Sequence, residues 1–402
     1  MFQFNMRRNV HHVMDVDKIK ERLELALRPV EKPPTLEEAL ERVSTHGVLR
    51  GPVDWVFSAW RLYVEYATQE IMKTFQLSEE ERRQLLDFRD TMKQLLLEAQ
   101  RQAKEKLTAL YKAVVEGTYR LEGIKLYAPD GTWMYVRVGH TPHIPIRGVS
   151  VSARFPDVLK LPQEKLELFQ LGWRASDEGR HKRHPYMGTT QPWQVFAWAM
   201  ARHGELYIRV GSVNLTPEGA SVLAHLKANS WRQKWGKDKA IDFVASDLRR
   251  GEWASLLTAW LGDGKIQWEN IPQSKYMLSI AAKETWRLGL VVNTYEAPVA
   301  TSKEAFVKIR EAADVYGEPL DLLKTHRWIY IKLAANYGFR AAAKQNKNSI
   351  TVEGVVMHLK LVSGRGGSLL AKYFTRDLGN ALAVADKLKA VELRPNIVKS
   401  RR

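Results

Sequence analysis

The sequence predicts an α+β chain on three observations: a helical apolar period through the first 117 residues, strand alternation at 118–138, and interleaved helical and strand patterns beyond. Helical patterning starts at 15–50, where Thr35-Leu36-Glu37-Glu38 has capping-box spacing directly after Pro33-Pro34. A second helix is expected over 54–75, with Val56, Trp60, Tyr63, Tyr66 and Ala67 on its apolar side. The third is the longest. It opens at a second capping box, Ser78-Glu79-Glu80-Glu81, carries apolar residues from Leu85 and Phe88 through Leu107, Leu110 and Val114, and ends at Gly117. The width of that stripe favours the spine of a bundle over a coiled-coil seam.

Residues 118–138 alternate around Pro129-Asp130-Gly131 and read as a β-hairpin, and 139–148 (GHTPHIPIRG) reads as a linker. From Pro156 a helix is expected through LELFQLGWRASDEG, then a basic loop, RHKRHPYMG, and a strand, GELYIRVGSVNL. Thr216-Pro217-Glu218-Gly219 is read as opening a helix that reaches Trp231, and another helix starts near Ser246. Strands are expected at KIQWENI, YMLSIAAKE, RWIYIKLAA and ITVEGVVMHLKLV, and helices at 302–316, 319–326 and 378–389. Four regions result: a helical part (1–117), a hairpin and linker (118–148), and two mixed halves (149–245 and 246–402).

The chain of 402 residues is 45% hydrophobic and 27% charged, as expected of a globular protein. It has no cysteine, which excludes disulfides and thiolate metal sites. No apolar run is long enough for a membrane span, and MFQFNMRRNVHH lacks the apolar core of a signal peptide, so a cytoplasmic location is expected. The net charge of +17 is unevenly spread. Residues 1–139 hold 22 Lys and Arg against 21 Asp and Glu; residues 140–402 hold 40 against 24. A basic part beside a neutral part points to a polyanion bound by the C-terminal region, with the N-terminal helices left for assembly or a protein partner.

Within LLTAWLGDGKI (256–266) an apolar helix ends in Gly262-Asp263-Gly264, with small residues at Thr258 and Ala259. An aspartate in the turn after a glycine-capped helix is one explanation. Two such helices packed through small residues would instead bring two carboxylates together, and paired carboxylates with Mg²⁺ suit phosphodiester hydrolysis. TAWLGDG (258–264) resembles the motif of the LAGLIDADG homing endonucleases, with Thr258 where glycine is usual. The resemblance implies αββαββα halves, double-stranded DNA on curved sheets, and Asp263 as one metal-holding catalytic acid. Residues 171–179 (LGWRASDEG) supply a degenerate second frame, with Glu178-Gly179 at its acid-glycine end and with Trp173 and Arg174 departing from the pattern. Glu178 is then the expected second acid; failing that, Asp263 meets its counterpart across a homodimer.

A wider resemblance covers about residues 150–395. FPDVLKLPQEKLELFQLGWRASDEG, MGTTQPWQVFAWA, VNLTPEGASVLAHL, KETWRLG and LVSGRGGSLLAKYFTRDLGNALAVADKL are similar to the PaRep family of repeated proteins of hyperthermophilic archaea, of its "b" type. This implies a hyperthermophile cytoplasm and supplies no activity. The family would be expected to continue beyond the final KSRR.

If DNA is the ligand, Arg180, Lys182 and Arg183 of RHKRH are expected on phosphates, with Arg232, Lys234, Lys237 and Lys239 of WRQKWGKDK as a second patch. Lys265 and Gln267, on the strand after Gly264, would reach the groove or backbone. His181 and His184 have a metal-like spacing but read as a solvated loop, and Trp231 and Trp235 as core residues of a helix. Ser363-Gly364-Arg365-Gly366-Gly367-Ser368 could hold a phosphate but lacks a P-loop ending. The expected function is therefore duplex DNA binding, with Mg²⁺-dependent cleavage if a second acid joins Asp263. The alternative is a non-catalytic RNA- or protein-binding module.

Overall fold

The computed structural model describes residues 13–266, 278–280, 299–300, 303–337, 349–362, 368–375, 377–391 and 393–398. Four helices come first: α1 (Val16–Leu27), α2 (Leu36–His46), α3 (Val53–Thr74) and α4 (Glu79–Val115). Proline at 29, 33 and 34 divides the expected 15–50 helix into α1 and α2. Both capping boxes form, Thr35 with Glu38 and Ser78 with Glu81. The predicted stripe of α4 is buried throughout, against α1, α3 and the sheet beneath, so α4 is the spine of a packed bundle.

The main sheet contains β1 (Arg120–Glu122), β2 (Lys125–Tyr127), β3 (Trp133–Tyr135), β4 (His143–Pro145), β5 (Ser150–Phe155), β6 (Gly179–His181), β7 (His184–Thr189), β8 (Gly204–Thr216) and β9 (Gly219–Ala228). Its order is β1-β2-β3-β4-β8-β9-β7-β6, with β5 also paired to β8. The segment read as a linker thus carries β4, whose pairing with β8 makes the hairpin region continuous with the sheet. One face is apolar: Leu126, Met134, Ile144, Met187, Leu206, Ile208, Val222 and Leu226 are all buried. The alternate positions, among them Lys125, Tyr135, Tyr186, Tyr207, Arg209 and Lys227, lie on the opposite face and are at least partly exposed.

Residues 216–231 are not helical. Thr216 pairs with Gly219 in the tight β8–β9 turn, where Gly219 has φ +111° and the Thr216 hydroxyl donates to the Gly219 carbonyl. Ala220, Val222, Ala224, Leu226 and Ala228 then line the buried face. Sheet pairing overrides the helical propensity of alanine and leucine there.

Helices α5 (Gln163–Ala175) and α6 (Pro192–Ala201) alternate with the later strands of this sheet, followed by α7 (Lys237–Arg249). The order α5-β6-β7-α6-β8-β9-α7 is an αββαββα succession. The helix expected from Ser246 is two: after α7, Gly251 at φ +83° turns the chain into α8 (Ala254–Asp263). Then come β10 (Gly264–Ile266), β11 (Leu278–Ile280) and β12 (Val299–Ala300), which form a second sheet, and α9 (Lys303–Ala313), α10 (Gly317–Leu322) and α11 (His326–Tyr337). RWIYIKLAA, expected as a strand, lies inside α11: its buried Trp328, Ile331 and Ala335 recur at helical spacing. A third sheet, β13 (Ser349–Val352), β14 (Val355–Val362) and β15 (Ser368–Lys372), packs with α12 (Leu378–Ala390) through Val355, Met357 and Leu388. Apart from that satellite, one hydrophobic core runs from Ile19 to Ala335, and the N-terminal helices share it: the Tyr63 and Tyr66 hydroxyls donate to the carbonyls of Leu323 and Leu322 at 2.7 and 2.9 Å. No helix among the described residues is long and apolar enough to cross a membrane.

Candidate carboxylate site at the ends of two packed helices

Helices α5 and α8 lie against each other through small residues. A Cβ on Gly172 would overlap the Ser255 carbonyl and the Thr258 hydroxyl, and one on Gly262 would overlap the Ser176 side chain. The Thr258 hydroxyl donates to the Phe169 carbonyl at 2.8 Å, which satisfies its polar atom inside the contact. Replacing Gly172 with alanine is expected to force the helices apart and cost about 1–3 kcal/mol or more. Denaturant unfolding measures this, and an unchanged midpoint would contradict the close contact.

The two contacts define equivalent positions. Gly172 meets Thr258 and Ser176 meets Gly262, and each second member comes four residues after the first. One residue further on stand Asp177 and Asp263, whose carboxyl groups hydrogen-bond each other. Each acid sits where a helix hands over to an end strand of a sheet: α5 to β6, and α8 to β10. The structure therefore brings Asp263 together with Asp177, one position before the expected Glu178.

Glu178 points elsewhere and is fully buried. Arg202 grips it with Nε and Nη2 at 2.9 and 2.8 Å, Trp198 Nε1 donates to it at 2.8 Å, and Gln233 donates to its Oε1. Arg174, the departure from the apolar pattern, donates to the Glu178 carbonyl at 2.8 Å and to that of Trp235 at 2.9 Å. With four donor bonds on its carboxylate, Glu178 is a structural anion whose oxygens are already occupied.

The surroundings of the aspartate pair are ordered. Gln194, from α6, donates to Asp177 at 2.7 Å and accepts from the Thr189 hydroxyl. Lys237 donates to the Ser176 carbonyl at the end of α5, and Arg327, from α11, donates to the Leu261 and Gly262 carbonyls at the end of α8. Each helix C-terminus thus carries a cation, as its dipole favours. Burial, then the hydrogen bond that the protonated Asp263 donates to Asp177 and the charge of Asp177, push the Asp263 carboxyl up to about 7, against the opposing pull of Lys237 and Arg327. A carboxyl beside a second carboxylate holds its proton more tightly than one in water, and Asp263 does so here. Burial lowers Arg327 to about 10, with both aspartates opposing the shift.

The expected basic residues fall into three groups. Arg180, Lys182 and Arg183 are exposed on the β6–β7 hairpin, directly after Asp177, with Lys182 at φ +57° in the turn. Arg232, Lys234, Lys237 and Lys239 are exposed, but their stretch is helical only from Lys237. Lys234 is paired with Glu167, while Trp231 and Trp235 pack on the core from irregular chain, Trp231 donating to the His203 carbonyl at 2.7 Å. Lys265 is on β10 opposite Ser279. Gln267 and 363–367 of the glycine-rich segment lie outside the described residues. His181 and His184 flank the hairpin turn, and His184 meets the Trp231 carbonyl.

Asp177, Gln194 and Arg327 escaped the sequence reading. The signal for Asp177 was present in the small-residue spacing, Gly172 and Ser176 before Asp177 as Thr258 and Gly262 before Asp263. Arg327 had none, because it lies in a segment whose alternation mimics a strand. Comparisons with protein-family models, with curated proteins and with solved structures find no match for this chain.

Proposed function

We propose that this chain binds double-stranded DNA on a LAGLIDADG-like scaffold and that Asp177 and Asp263 hold Mg²⁺ for phosphodiester hydrolysis. The observation that carries the reading is the Gly172–Thr258 and Ser176–Gly262 packing, which sets two aspartates together before the end strands of two sheets. The αββαββα order from α5 to α7 and the basic hairpin after Asp177 support it.

The donor set suits a hard cation. Mg²⁺ commonly takes one or two carboxylates and completes its octahedron with water and phosphate oxygens. Among the described residues no group of three or more His, Cys, Asp or Glu is arranged to hold a metal, and the aspartate pair offers two carboxylates. Bound there, Mg²⁺ would stabilise charge on the attacking and leaving oxygens of the phosphodiester. Gln194 orients Asp177, Lys237 and Arg327 offset the charge gathered at the helix ends, and Arg180, Lys182 and Arg183 neutralise flanking phosphates.

A second reading, binding without cleavage, is favoured by Lys237 and Arg327, which already offset two carboxylates. Plasmid nicking with Mg²⁺, across a range of temperatures, separates the two. Nicking by wild type that falls at least about 100-fold in both Asp177→Asn and Asp263→Asn is expected of the nuclease. Salt-sensitive duplex binding equal in all three proteins, with no nicking, supports the binding scaffold. Tighter binding of RNA than of duplex DNA would contradict the DNA reading.

A further inference from the structure

The outer face of β2, β3 and β4 carries a compact set of rings and cations. Tyr127, Trp133, Tyr135 and His143 lie side by side, with successive centroids 6.4, 4.8 and 4.6 Å apart. The register places them together: Tyr127 faces Trp133 and Tyr135 faces His143, while Leu126, Met134 and Ile144 point into the core. Lys125 Nζ is 4.5 Å from the Trp133 ring centre, Arg147 is 5.5 Å from it, and Arg120 is 5.3 Å from that of Tyr127. Of the nearby acids, Glu122 is paired with Arg120, and Asp130 accepts from the Thr132 amide in the turn. Lys125 and Arg147 have rings beside them instead.

The support beneath is rigid. Gln102 of α4 exchanges two 2.9 Å hydrogen bonds with the Arg147 backbone, and Lys106 donates to the Pro145 carbonyl at 2.6 Å. Cross-strand aromatic pairs also stabilise short strands, but that role does not call for the accompanying cations. Partly exposed rings interleaved with positive charge are complementary to unpaired nucleotides, whose bases stack and whose phosphates need neutralising. In a duplex the base faces are already stacked on each other and closed to such rings. The patch is five strand spacings from β6, the strand that follows Asp177, or about 24 Å across the sheet.

Resting on the nucleic-acid reading above, we propose that the β2–β4 face is a stacking site for single-stranded DNA, which holds unpaired nucleotides at a distance from the carboxylate pair. The substrate class would then be a duplex bearing a single-stranded flank.

Fluorescence anisotropy of the full chain tests this with an oligothymidylate of about 12 nucleotides, a blunt duplex, and the same duplex with an overhang. Trp133→Ala and Tyr135→Ala are expected to weaken binding of the oligothymidylate and the overhang by about 5- to 100-fold and to leave the blunt duplex unchanged. Trp133→Phe, which keeps a ring, should stay near wild type, and thermal melts verify that each variant is folded. Single-strand binding equal in the wild type and both alanine variants would overturn the proposal, as would binding no tighter than to a simple polyanion such as heparin. Ring-dependent single-strand binding without blunt-duplex binding would instead sustain this site and overturn the duplex reading.

Discussion

Replacing Glu178 with alanine is expected to cost about 3–5 kcal/mol of folding stability, read as a lowered denaturant midpoint. The carboxylate and its partner Arg202 are 0% and 1% exposed. Removing the anion leaves a guanidinium buried with no counter-charge, together with the Trp198 and Gln233 donors that Glu178 now satisfies. Replacing both partners with apolar residues of similar volume should recover much of the loss, because a buried ion pair costs desolvation that an apolar pair does not. A loss under about 1 kcal/mol for Glu178→Ala would contradict the structural role. Any loss of activity in that variant would accompany loss of the fold, so it says nothing about chemistry at Glu178.

Asp263→Asn is expected to do the opposite for metal-free protein, raising stability at pH 8 by on the order of 2 kcal/mol once the shift is discounted for partial exposure. The folded carboxyl titrates near 7 and the unfolded one near 3.8, so between those values the folded state holds a proton that the unfolded state has released. Stability therefore falls as pH rises from about 4 to about 7, and it is fully present only below the unfolded value. Burial is the largest cause of the shift; Asp177 raises it further, and Lys237 and Arg327 lower it. Asparagine removes the titration, so the gain should shrink to nothing by pH 4. Thermal melts across that range measure it, and a gain that persists at pH 4 would assign the effect to something other than this carboxyl.

Much of the scaffold is legible in the residues. Capping boxes at Thr35 and Ser78 mark real helix starts, and the α4 stripe is buried as its period implies. Where propensity and tertiary pairing disagree, the local pattern misleads. GASVLAHLKA has helix-forming residues, yet β8 claims it as a strand; RWIYIKLAA alternates like a strand, yet its buried side chains follow a helical turn. The candidate site is half legible for a related reason. Asp263 is visible because Gly-Asp-Gly ends an unbroken apolar helix. Its partner is displaced by one position in the expected frame, because Glu178 occupies the acid-glycine slot while the packing fixes Asp177. Lone letters at a motif's end are weaker than the small-residue spacing that sets how two helices touch. Nothing in the sequence announces Arg327, since it joins the site from α11 through the fold.

A nuclease at this site requires the aspartate pair to take a divalent cation. Calorimetric titration of Mg²⁺ into folded wild type, Asp177→Asn and Asp263→Asn at pH 8, with duplex DNA present, tests it most directly. The predicted result is saturable binding to wild type that weakens at least about tenfold in each variant and fades in the wild type as pH falls below 7, where a proton competes with the metal. Binding of equal strength in all three proteins, or none to wild type, would contradict a carboxylate metal site at the ends of α5 and α8.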